Sequence, residues 1–177
     1  DVGLTLTVPD GWENNGWFVV KSESDPFFGV VLDRVGNIFS DPCQWVELDP
    51  PLGPSVDDLV AAFASVPDLN ATEPTDVTID GYHGQQIEFT VPDFTEDECI
   101  DGWFAMWQNP GFAGQGPNYV SPANAHHRLW ILDVDGTRLV IGGSSFPDTS
   151  QQDLDDLDTI LNSIQIDAVE AEQSGDT

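Results

Sequence analysis

With 177 residues, 40% of them hydrophobic, and 6 Trp, the chain has the apolar content for one core of useful size. Four Lys and Arg stand against 32 Asp and Glu, a net charge of −28, so nucleic acid and anionic membrane surfaces are excluded as direct partners: both need a cationic footprint. No apolar run approaches the roughly 18 to 20 residues of a membrane helix.

Leu4, Leu6 and Val8 alternate with polar positions and stop at Pro9-Asp10-Gly11, a short strand running into a turn. Trp17 to Lys21 and Phe27 to Val35 are rich in aromatic and β-branched residues and read as further strands. Ser55-Val56-Asp57-Asp58 carries the signature of a helix start, with Ser55 as N-cap and Asp58 three positions on. Leu59, Val60, Phe63 and Val66 then fall on one face, and Pro67 closes the helix.

Asp76 to Ile79 and Gln85 to Val91 form two strands joined through Asp80-Gly81-Tyr82-His83-Gly84. Trp103 to Trp107 reads as a strand with Trp103, Ala105 and Trp107 on one side. Asn109 to His127 has no periodicity and several Gly and Pro, which marks it as a long loop of the kind that binds or moves. Leu129 to Val134 and Arg138 to Ile141 flank Asp135-Gly136, a tight hairpin pair. Ser150 caps a last helix whose stripe is Leu154, Leu157, Ile160, Leu161 and Ile164.

Strands, helix, strands, helix, linked by hairpins, predict an α+β domain: an antiparallel β-sheet with two helices packed on it, spanning residues 1–167. Residues 168–177 read as an acidic flexible tail. Cys43 and Cys99 are the only cysteines, and neither has a Cys-x-x-Cys partner or a His at metal spacing. A disulfide between them accounts for both and points to an exported chain, extracellular or at the cell surface. Two buried thiols packing as small apolar residues is the other arrangement. The bridge is expected to tie the N-terminal strands to the base of the long loop.

No catalytic or cofactor motif is found. Carboxylates are so abundant that a pair such as Glu47 or Glu88 beside Asp133 reads first as solvated charge, with an acid-base pair of a carbohydrate-active hydrolase as the alternative. Asp133, Asp135 and Gly136 lack the later acidic ligand of a calcium loop. His126 and His127, adjacent on a strand, point to opposite faces, and no metal site is predicted.

Trp103, Trp107, Phe112 and Tyr119, with Asn109, Gln115 and Asn118 nearby, are the candidate binding residues, of the kind that line a sugar or peptide pocket. The competing reading of Trp103 and Trp107 is as core residues. Trp12, Trp17, Trp45 and Trp130 are assigned to the core or its rim.

The segments Asp41-Pro42-Cys43-Gln44-Trp45, Gly53 to Val60, Asp80 to Gly84 and Arg128 to Gly136 resemble a group of actinobacterial exported domains of uncharacterised function, in which the two Cys recur and the last helix ends in a Ser-Ile pair, here Ser163-Ile164. The element order is more distantly similar to the PsbP-like fold, shared by photosystem subunits and mycobacterial lipoproteins of the LpqN type. The resemblance implies an extracytoplasmic binding or assembly role without catalysis. The function expected is therefore a noncatalytic, monomeric binding or interaction domain, its partner a protein or a glycan.

Overall fold

A computed structural model describes residues 2–21 and 28–168. Thirteen strands, two α-helices and one short 3-10 turn, Ile100–Gly102, occur among them. The strands are β1 (Val2–Thr5), β2 (Trp12–Asn14), β3 (Phe18–Lys21), β4 (Gly29–Asp33), β5 (Asn37–Asp41), β6 (Val46–Glu47), β7 (Thr75–Ile79), β8 (Tyr82–Thr90), β9 (Phe104–Gln108), β10 (Tyr119–Ser121), β11 (His126–Val134), β12 (Thr137–Ser145) and β13 (Gln165–Ala168). The helices are α1 (Val56–Ser65) and α2 (Gln151–Asn162).

Seven strands form one antiparallel sheet in the order β2-β3-β4-β12-β11-β8-β7. A four-stranded sheet, β10-β9-β5-β6, and the antiparallel pair β1-β13 complete the set. The fold is α+β, with two helices on antiparallel sheets and a bridge from Cys43 to Cys99. Among the described residues no helix is long and apolar enough to cross a membrane.

The period of two in the central strands separates two cores. Val31, Val140, Leu129 and Ile131 join one cluster with α1 and with Ile38, Met106 and Trp107 of the small sheet. Their neighbours Val30, Leu32, Ile141, Leu132 and Val134 join the other, with Leu157, Ile160 and Leu161 of α2 and Ile166 of β13. Both faces of the large sheet are thus covered, which is why β4 is buried along its whole length.

Local chemistry sets the helix and hairpin boundaries. Ser55 and Asp58 form the reciprocal capping box at the start of α1. Ser150 Oγ accepts from Asp153 N at the start of α2. Asp135 and Gly136, with φ of 51° and 81°, turn β11 into β12. The turn between β7 and β8 is shorter than expected. Asp80 and Gly81 (φ 50° and 86°) suffice, and Tyr82 to Gly84 already belong to β8.

Three other expectations change. Residues 119–121, expected within a long loop, form β10 and pair with β9, and His126 and His127 open β11, so the loop divides into residues 109–118 and 122–125. Ala168, expected to begin the tail, pairs with Val2, and residues 169–177 lie outside the described residues. Phe27 of the expected third strand lies outside them too, and the strand begins at Gly29.

Candidate functional site

The four expected binding aromatics do not gather on one surface. Trp107 is fully buried (0% exposed), and Tyr119 is at 8%. Their rings stack at 4.3 Å because β10 folds back onto β9. Trp103 is half-buried just before β9, its carbonyl accepting from Trp45 Nε1. Phe112 alone is exposed, at 42%. Trp107 and Tyr119 are therefore core residues, buried by a neighbouring strand that the sequence pattern did not reveal. Burial also pushes the Tyr119 hydroxyl well above its usual range.

The loop expected to hang from the disulfide is held by other groups. Glu47 Oε1 accepts from Gln108 Nε2 and from Gly114 N, both at 2.7 Å, and Asn118 Oδ1 accepts from Asn109 N at 2.7 Å. Only Asn109 and Pro110 of this loop reach a neighbouring cleft, a space of about 700 Å³.

That cleft is built from residues distant in sequence. Leu4, Leu6, Leu32 and Leu139 give it an apolar floor. Gly36 allows the approach of Pro110, since a Cβ there would lie 2.7 Å from the Pro110 nitrogen. The indole of Trp17 stands at the rim, 64% exposed. Its position is set by the tight turn between β2 and β3, where Asn14 Oδ1 accepts from Gly16 N and Asn15 Oδ1 from Phe18 N. Leu32 N donates to the Trp17 carbonyl at 3.0 Å, anchoring the backbone beneath the ring. Trp17 was expected in the core or at its rim. The hairpin turn holds it outward instead.

Asp33, at the end of β4, puts a buried carboxyl into the cleft wall. Desolvation raises its pKa, while hydrogen bonds from the Trp107 indole, the Arg34 amide and the Asn109 side chain act in the opposite direction. Arg34, Asn14 and Asn109 add a guanidinium and two amides. Among the described residues lining the cleft, Asp33 is the one carboxyl.

The carboxylates considered for hydrolysis are occupied elsewhere. Glu88 accepts from Arg128 Nε at 3.1 Å and from Gln86 Nε2 at 2.9 Å, while Asp133 accepts from Gly136 N in the hairpin turn. Glu88 lies opposite Arg128, five positions along β11 from Asp133, which places the two about 17 Å apart and on opposite faces. A glycosidase pair needs about 5 to 10 Å across one cleft.

Ser121 Oγ and His127 Nε2 lie 2.8 Å apart, a contact that the sequence did not announce. Both are buried, His127 packs on Phe89, and desolvation followed by the neighbouring His126 lowers its pKa to about 3. The pair is closed to substrate and keeps the imidazole neutral. No group of three or more metal-ligating side chains occurs among the described residues.

No protein-family profile matches the chain, and no curated protein matches it in sequence. Among solved structures, the crystal structure of LpqN, involved in cell envelope biogenesis of Mycobacterium tuberculosis, is similar with a TM-score of 0.45 and 12% identity. The similarity covers 94% of this chain and 84% of that one.

Proposed function

We propose that this chain is an exported, noncatalytic binding domain whose ligand, a neutral glycan, sits in the cleft between Trp17 and Asp33. The observation that carries the reading is the projecting indole of Trp17 at the edge of a cleft whose described lining has a single carboxyl. A sugar ring offers an apolar face for the indole and hydroxyls for the amides of Asn14 and Asn109 and the guanidinium of Arg34. The net charge of −28 disfavours anionic glycans as well as nucleic acid and acidic lipid surfaces. The disulfide supports placement outside the cytoplasm, at the cell surface or beyond it.

Glycan-array binding of the wild type and of Trp17→Ala tests this. The expected result is a neutral-glycan signal that Trp17→Ala removes while the melting temperature stays the same, because the ring is mostly in solvent. A set of positive glycans bound equally by the variant would overturn the reading.

A further inference from the structure

A second cavity, of about 270 Å³, lies on the other face of β3 from Trp17. Phe18 pairs with Val31 across β3 and β4, and these two form one wall with Val20. Tyr119 and Val120 of β10 form the other, so the slot runs along the seam between the large and small sheets.

Three observations define what fits there. The rings of Phe18 and Tyr119 are nearly parallel, at 21°, with centroids 6.2 Å apart. None of the described lining residues carries a charge, in a chain that has 32 Asp and Glu. The polar side chains that line the slot are neutral: the amides of Asn15 and Asn118, the Tyr119 phenol, and the hydroxyl of Ser144, which donates to the Gly29 carbonyl. We propose that the slot is a second binding site, separate from the Trp17 cleft, for a flat uncharged aromatic group bearing a hydroxyl. At 6.2 Å the two rings stack on each other and leave no room for a third ring between them, so the partner lies against their edges and the apolar walls of Val20, Val31 and Val120, with the side-chain amides of Asn15 and Asn118 at its rim. A charged ligand would lose its hydration against a lining in which no described residue carries an opposite charge.

Benzyl alcohol, with benzoate and benzylammonium as charged counterparts, provides the probes, and ligand-observed NMR titration the readout. Benzyl alcohol is expected to bind saturably, and each charged counterpart at least about tenfold more weakly. Val120→Trp, which fills the slot from its half-buried edge, is expected to weaken benzyl alcohol by about tenfold or more. Val20→Phe fills it from the opposite wall and serves if the first variant does not fold. Trp17→Ala is expected to leave the affinity unchanged, which separates this site from the glycan cleft. The proposal is overturned if benzyl alcohol does not saturate, if benzoate or benzylammonium binds as well, if the folded filling variants bind normally, or if Trp17→Ala abolishes the signal.

Discussion

The indole Nε1 of Trp107 donates to Oδ2 of Asp33 across 2.8 Å, a buried bond between residues 74 apart in sequence. It ties the centre of the small sheet to the wall of the cleft. Asp33→Leu leaves the indole N–H without an acceptor in the core and is expected to cost about 1 to 3 kcal/mol in urea unfolding. Asp33→Asn retains an acceptor and should cost less. Trp107→Ala should cost about 3 to 5 kcal/mol, as removal of a fully buried ring does. Loss of ligand in that variant would report unfolding rather than a missing contact.

The bridge between Cys43 and Cys99 spans 56 residues. Replacing both by Ser is expected to lower stability by about 4 kcal/mol, from the chain-entropy relation. The first segment to loosen should be residues 99–105, because Ile100 N donates to the Cys43 carbonyl and Ala105 N to that of Pro42. Hydrogen exchange is expected to show those two amides opening while the loop 109–118, held by Glu47, stays protected.

His127 gives acid sensitivity with a definite sign. Unfolded, it takes up a proton below about pH 6.5; folded, it stays neutral until about pH 3. The unfolded chain therefore binds the extra proton across that window, and stability falls as pH falls, by on the order of 4 kcal/mol. Asp33, raised by burial, works the other way and favours the fold as it protonates. The double variant His127→Phe with Ser121→Ala keeps Asp33 but removes the imidazole. Urea unfolding at pH 7 and pH 4 should show a smaller loss in the variant.

Arg138 holds the segment that leads into α1. Its Nη1 donates to the carbonyls of Gly53 and Ser55 at 2.6 and 2.8 Å, and Nη2 to that of Val35 at 2.6 Å. Burial lowers its pKa, opposed by Asp58. Arg138→Met leaves the three carbonyls without this donor, at an expected cost of about 1 to 3 kcal/mol. Arg138→Lys should recover only part, since an ammonium cannot reproduce the planar fork. Chemical denaturation of the two variants checks the order.

The features legible in the sequence are those written by neighbouring residues. The Ser55 and Asp58 box, the Asp135-Gly136 turn and the stripe of α2 are all set within a few positions. The disulfide was legible because two cysteines leave one pairing. Strands β2, β5, β6, β10 and β13 were not found, as each has two to five residues and is fixed by a partner elsewhere in the chain. The candidate site suffered for the same reason. Tyr119 is buried by the return of β10 onto β9, and the side to which Trp17 projects depends on a two-strand turn rather than on its own alternation.

The pairing of β1 with β13 places Val2 opposite Ala168, so the start of the first strand and the end of the last share one rung. Tension applied at Val2 and Ala168 would load that rung first and then Gly3–Asp167, Leu4–Ile166 and Thr5–Gln165 in turn. This is an unzipping geometry, in which bonds break singly, and not a shearing one in which they share the load. Because Val2, Leu4 and Ile166 pack on the α2 core, the same pull would uncover the apolar side of the large sheet before its central strands part. The mechanical weak point of the molecule is thus its terminal clasp.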